Sequence, residues 1–324
     1  MKSDHGIAAR FACALLLLAV AHAVRASETW PARPVRVIVP FVAGGGVDTV
    51  ARITANRLGG ELGQQVIVDN RTGARGVIGV DIVAKSAADG YTLLVVSESL
   101  TVMPFVERSL PFDVRKHFVA VSMLATQPLL LAVHPSLPAQ SLKEFIALAK
   151  AKPAAISYGS GGFGQHLAGE VIKKSAGFEM THVPYKGGAQ AAIDLVGGQV
   201  NAAVLGSSPV IPFARSGKLR VLVVTSKARS AQFPNVPTLA EEGIATVDLA
   251  QWVYMLAPAK TPPERVSRLN AALVKAIGAA EPREKLQAAG YEVATGTPQQ
   301  LDTMLHEALA RWAKLIPELN IKPE

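Results

Sequence analysis

The chain has 324 residues, 49% of them hydrophobic and 18% charged, with a formal net charge of +8 and one cysteine. That length exceeds one ordinary domain and gives room for two lobes, each with a core of its own. The basic residues are scattered, and only five tyrosines and three tryptophans accompany them, so the charge describes a solvated surface and argues against a nucleic-acid partner.

The N-terminus points to export. Lys2 and Arg10 give a positive start, Phe11 to Ala21 is an unbroken apolar stretch, and Val24-Arg25-Ala26 places small residues at a cleavage site before Ser27. The apolar stretch is well short of the roughly 20 residues that span a bilayer, so residues 1–26 read as a removable signal and the mature protein as periplasmic. Cys13 leaves with that segment, and no thiol remains for disulfides, metal binding or nucleophilic catalysis. Processing takes the formal charge from +8 to +6, with 30 basic against 24 acidic residues.

The next segment, VRVIVPFVAGGGVDTVARI, couples a β-branched strand to three glycines and then a helix. Gly44, Gly45 and Gly46 let backbone N–H groups approach a ligand, and Val50, Ile53, Leu58 and Leu62 recur at helical spacing behind them. The helix N-terminus with its unpaired N–H groups suits a carboxylate or phosphate, although an empty turn would have the same sequence. The same strand, loop and helix unit recurs at Tyr91 to Val96 before Ser97-Glu98-Ser99, and at Ile156 to Tyr158 before GSGGFGQH. It recurs again at Thr181 to Tyr185 before Lys186-Gly187-Gly188, and at Val200 to Leu205 before Gly206-Ser207-Ser208. This rhythm predicts an α/β fold with mostly parallel sheets and all five loops at the carboxyl ends of the strands, where ligands of such sheets lie.

Short apolar strands at Leu129 to Val133 and Val253 to Leu256 are candidates for crossings between lobes. Ser141 to Glu144, Thr261 to Glu264 and Thr297 to Gln300 read as capping boxes. In the last helix Leu301, Leu305, Leu309, Trp312 and Ile316 line one face and Pro317 ends it, which makes Trp312 a core residue.

Taken together, WPARPVRVIVPFVAGGGVDTVAR, GQQVIVDNRTGARGVIG, ADGYTLL, HVPYKGGAQAAIDLVGGQV, GKLRVLVVTSKARS and FPNVPTLAEEG resemble the Bug-type extracytoplasmic receptors of tripartite tricarboxylate transporters. The resemblance runs from Trp30 almost to the C-terminus. It implies a two-lobed fold like type II periplasmic binding proteins, with lobe 1 at 27–127 and 246–324, lobe 2 at 128–245, and crossing strands between them. It also implies a monomeric, non-catalytic receptor without cofactor or metal that closes on a small organic acid and delivers it to integral-membrane transporter subunits. Val42 stands where the family usually has proline, a departure that bears on affinity.

Carried over by position, the ligand-binding residues are Phe41, Ala43, Gly44, Gly45, Gly46 and Asp48 in the first loop, with Ser97 and Ser99 beside them. From the other lobe come Ser160, Gly161, Gly164, Gln165, His166, Tyr185, Lys186 and Gly187, with Ser207 at the hinge side. Asp48 has a competing reading as a helix cap, and His166 as a capping or packing histidine. The enzyme alternative is an exported dinucleotide-binding oxidoreductase, because Gly159 to Gly164 satisfies G-x-G-x-x-G with Glu179 twenty residues on. A hydrolase lacks the G-x-S-x-G elbow, a metal enzyme lacks H-E-x-x-H, and a regulator's effector lobe would need a DNA-binding domain for which the chain has no room.

Overall fold

The computed structural model describes residues 30–153, 155–244, 249–319 and 321. The expected signal segment, its cleavage site and Cys13 lie outside the described residues. The chain runs β1 (Val35–Val39), α1 (Gly46–Leu62), β2 (Val66–Asn70), α2 (Val77–Ala84), β3 (Thr92–Ser97), α3 (Ser99–Val106) and β4 (Phe118–Val133). It continues through α4 (Leu142–Ala151), β5 (Ser157–Ser160), α5 (Phe163–Ala176), β6 (Thr181–Pro184), α6 (Gly188–Val196), β7 (Ala202–Gly206), α7 (Ser207–Arg215) and β8 (Arg220–Val224). It ends with β9 (Ala250–Pro258), α8 (Pro263–Gly278), α9 (Ala280–Ala288), β10 (Glu292–Val293) and α10 (Pro298–Glu318). Among the described residues no helix is long and apolar enough to cross a membrane.

The strands form a curled sheet in the order β2-β1-β3-β9-β4-β7-β5-β6, with β8 and β10 also against β4. The outer strands are parallel, as the alternating pattern predicts: β1 with β2 and β3, and β5 with β6 and β7. The centre is antiparallel, because β4 and β9 run against their neighbours.

β4 joins the two halves of the sheet. Phe118 to Pro128 pairs with β9, and Leu129 to Val133 pairs with β7 and β8. The predicted crossing strand at 129–133 is therefore the far half of a strand of 16 residues. Pro128 sits where one set of partners hands over to the other, the place in a strand at which a missing N–H costs least.

Successive residues of each strand feed opposite cores, the period-two consequence of extended backbone. Val37 and Val39 pack with Leu58, Leu93 and Val253 on one face, and Ile38 joins Leu94, Leu256 and Leu309 on the other. In the second half of the sheet Leu131 and Val204 pack with Phe145 and Leu167, while Leu130 and Leu205 pack with Ala191 and Leu195. Helices on both faces make these strands largely apolar.

Two of the three predicted capping boxes take their expected form in part or whole. Thr297 and Gln300 make the reciprocal pair at the start of α10, and Ser141 accepts from the Glu144 N–H at the start of α4. The third does not form: α8 starts at Pro263 with Pro262 as its cap, because the two prolines shift the start one residue, and the buried Thr261 hydroxyl has no partner. The buried face of α10 contains Leu301, Leu305, Leu309, Trp312 and Ile316 as expected, but Pro317 lies inside its last turn and does not end it.

Candidate functional site

β1, β3, β5, β6 and β7 each end in a turn that opens a helix: α1, α3, α5, α6 and α7 respectively. These helix starts meet at a cavity of about 180 Å³ where the two halves of the sheet face each other. A wider groove on the outside, lined by Glu307, Arg311 and Lys314 on α10, collects no helix N-terminus among the described residues.

On one side lie Phe41, Val42, Gly44, Gly45, Gly46 and Val47. Gly44 adopts a φ of 78°, a left-handed conformation that a side chain would strain. Its N–H donates to Asp48 Oδ2 at 2.8 Å, so that group is already engaged. The N–H groups of Gly46, Val47 and Asp48 in the first turn of α1 have no acceptor among the described residues, as expected of a helix start.

Asp48 is buried and turned away from the cavity. Besides Gly44 it accepts from Arg52 at 2.9 Å and from Asn70 Nδ2 at 2.9 Å, and Asn70 also donates to the Phe41 carbonyl. Burial acts to raise its pKa, but the hydrogen bonds from Arg52, Gly44 and Asn70 outweigh burial and hold the carboxyl below the usual value. The carboxylate thus ties the glycine loop to β2. Asp48→Ala is expected to lower stability by about 2–3 kcal/mol, the scale of losing hydrogen bonds to a charged group. A carboxyl with a lowered pKa stabilises above its unfolded value and loses that contribution as pH falls through the folded one. The difference between wild type and variant, followed by urea unfolding, should therefore shrink below about pH 4.

On the other side stand the starts of α5 and α6. Gly161 N–H donates to Gln165 Oε1 at 2.7 Å, whereas the N–H groups of Phe163, Gly164 and Gln165 and those of Gly188, Ala189 and Gln190 have no acceptor among the described residues. A Cβ on Gly161 would overlap the backbone of Gly187 and Gly188, which shows how closely these two loops abut. Across the cleft, a Cβ on Gly187 would lie 3.3 Å from Val42 Cγ2, and the Arg75 guanidinium lies 5.2 Å from the centre of the Phe163 ring.

Gln127 of β4 and Gln251 of β9 form the floor. The Gln127 amide donates to Gln251 Oε1 and accepts from Ser207 Oγ at 2.9 Å and from Ser208 N–H at 3.0 Å. Ser207 Oγ also lies 2.9 Å from the Gly290 carbonyl oxygen, so its one proton is shared between two acceptors, and Tyr291 OH donates to Gln251 Oε1 at 3.2 Å. Ser207 is consequently part of the hinge-side support behind the cavity, and Ser208 and Pro209 line it.

Of the residues carried over from sequence, Phe41, Gly44, Gly45, Gly46, Ser97, Ser99, Gly161, Gln165 and Gly187 line the cavity. Gly164 lies just behind, packed on Glu98. The others point elsewhere. Ala43 is exposed, Tyr185 packs against Gly159, and Lys186 is exposed. Ser160 is 2.8 Å from His182 Nε2, and His166 stacks on that ring at 3.8 Å and lies 3.7 Å from Glu170, so both face the flank of α5. The helical turn explains this: with the N-terminus of α5 aimed at the cavity, Gln165 projects inward and His166, about 100° further round, projects sideways.

The sequence reading missed Glu98, Gln127 and Gln251. Each had a signal: a carboxyl between two chosen serines, and two amides in otherwise apolar strands. Glu98 is 4% exposed and its Oε2 makes no hydrogen bond. Burial pushes its carboxyl up to about 8; the nearby N–H groups of Glu98 and Trp252 and the Ser97 hydroxyl act the other way without offsetting it. Among the described residues no arginine or lysine lines the cavity.

Comparison with known proteins agrees with this geometry. The family model described as TctC, tripartite tricarboxylate transporter family receptor, matches residues 50–321. BugT of Bordetella pertussis is 39% identical over 304 residues, which cover 91% of this chain and 92% of BugT. A protein of R. palustris solved with adipate has a TM-score of 0.87 at 35% identity, covering 91% of this chain and 100% of the other. MatC from Rhodopseudomonas palustris with bound malate has a TM-score of 0.80 at 29% identity, covering 89% and 100%. The chain belongs to the tripartite tricarboxylate transporter receptor family and is a solute-binding receptor with that family's fold.

Proposed function

We propose that this receptor captures a small carboxylate in the cavity between its two halves, holding it through backbone N–H groups. The observation that carries this reading is the meeting of several helix N-termini, with unpaired N–H donors from α1, α5 and α6, at a cavity that no arginine or lysine among the described residues lines. Such donors with their partial positive charge hold an anion without a side-chain cation. Phe41, Gly44, Gly45, Gly46, Ser97, Ser99, Gly161, Gln165 and Gly187 form its wall, with Asp48, Gly164 and Ser207 as supports. The adipate and malate bound by the two relatives named above fit the same chemistry.

The two lobes, 27–127 with 246–324 and 128–245, close by bending β4 and the entry to β9, and the closed form is presented to membrane subunits. Export with cleavage near Ala26 places the monomer in the periplasm, with neither a catalytic role nor a nucleic-acid partner. The oxidoreductase alternative is disfavoured by space. Gly161 abuts the backbone of Gly187 and Gly188, Gly159 packs on Tyr185 and Gly164 on Glu98, and about 180 Å³ is below the range of about 300–1,000 Å³ typical of sites for larger ligands.

Titration calorimetry of the mature protein with mono-, di- and tricarboxylates, amino acids, aromatic acids and NAD tests the reading. At least one small carboxylate is expected to bind, with a smaller radius of gyration by small-angle scattering in its presence. Binding of NAD with no response to any carboxylate would overturn it.

A further inference from the structure

Glu98 is the one ionisable side chain among the described residues that line the cavity. It caps α3 on one wall, and its carboxyl lies against Gly164 of α5 on the other, close enough that a Cβ there would overlap it. At 4% exposure, with Oε2 making no hydrogen bond, it is a polar group with unused capacity aimed into a space rimmed by N–H donors. The groups facing it supply no positive charge. β9 contributes Tyr254, whose hydroxyl also has no partner, and the chain before β10 contributes Tyr291, both phenols kept neutral by burial with the nearby Glu98 adding to the effect. β3 contributes Ser97, β4 contributes Gln127 and α5 contributes Gly164 and Gln165.

A charged Glu98 would set a second anion beside a bound carboxylate in a buried site, which costs more than either charge alone. A neutral Glu98 instead offers an O–H donor, and the bond from an acid to a carboxylate is among the short, strong class. An ammonium group on the ligand would be the other partner for a charged Glu98, but the surrounding helix N-termini disfavour a cation there.

We infer that Glu98 carries its proton in the complex and donates it in a hydrogen bond to an oxygen of the ligand carboxylate, making solute capture proton-linked. This rests on the carboxylate reading above. Because burial pushes this carboxyl up to about 8, alkaline medium must supply the proton on binding. Glu98 is then a specificity-determining residue that favours capture at neutral and acid pH.

The test is calorimetry with adipate and L-malate between about pH 6 and pH 9, in buffers of differing ionisation enthalpy, on wild type and Glu98→Gln. The glutamine keeps the shape and a donor but cannot titrate. Wild-type affinity is expected to fall about tenfold per pH unit above the Glu98 midpoint, with about one proton taken up per ligand near pH 9. Glu98→Gln should bind with an affinity flat within about threefold across the range and take up no proton. The proton count on wild type stands even where the variant does not fold. The same pH slope in both proteins, or proton release in wild type, would overturn this inference while leaving the carboxylate reading intact. So would an amine-bearing ligand whose affinity rises with pH and is lost in Glu98→Gln. If neither protein bound any carboxylate at any pH, the carboxylate reading would fall and this inference with it.

Discussion

Trp312→Ala is expected to lower folding stability by about 3–5 kcal/mol, the range for removing a large buried aromatic. The indole is 3% exposed in the core shared by α10, α3 and the second half of the sheet. Its Nε1–H donates to Thr101 Oγ1 at 3.0 Å, and that hydroxyl donates in turn to the Glu98 carbonyl at 2.7 Å. Trp312 therefore braces the first turn of α3 from behind, although it lies far from the ligand in sequence and outside the cavity. Trp312→Phe keeps most of the apolar volume and loses the donor, so it should cost less than the alanine change. Urea unfolding of both variants separates the two contributions. Equal losses for Phe and Ala would mean that the hydrogen bond, and not packing, makes this residue important.

The parts of the fold that were legible are those set by local periodicity and turn chemistry. Val35 to Val39 followed by three glycines, and the Leu301 to Ile316 stripe behind a Thr297 cap, each dictate an element through residues that are neighbours on the chain. The placement of the five loops at one end followed from the strand and helix order alone. What sequence could not give depends on pairing over long separations. β4 looked like a short strand because Ser122, Gln127 and Pro128 interrupt its apolar run, yet each is accommodated by a partner far away: Gly296, Gln251 and the handover to β7. The same separation hid the cavity floor, since Gln127 and Gln251 lie 124 residues apart. Glu98 is not legible as a site residue because its burial, which pushes the carboxyl up to about 8, depends on residues far away in the chain. His166 and Ser160 were chosen for lying in a glycine loop, but only the rotation of α5 decides which of its first residues face inward.

Gly161→Ala is expected to weaken binding of a carboxylate ligand by on the order of 100-fold, because the added methyl has no direction in which to yield. Its nearest neighbours would be the backbone N of Gly188 and the carbonyl carbon of Gly187, and no rotamer change relieves an overlap with backbone. The β5–α5 loop must separate from the β6–α6 loop, and both carry the N–H donors proposed to hold the anion. Forcing a methyl into a packed site costs about 1–3 kcal/mol, and misaligned hydrogen bonds to a charged group about 1.5–3 kcal/mol, so the affinity loss draws on both. Lys186 provides the contrast. It neighbours the same loop but is exposed and does not line the cavity, so Lys186→Met should change affinity by less than about threefold, the scale of a solvated charge. Calorimetry with the best ligand from the panel, on variants whose folding is verified by circular dichroism, decides between the two. Loss of binding in Lys186→Met with normal affinity in Gly161→Ala would mean that a lysine, and not the helix N-termini, recognises the carboxylate.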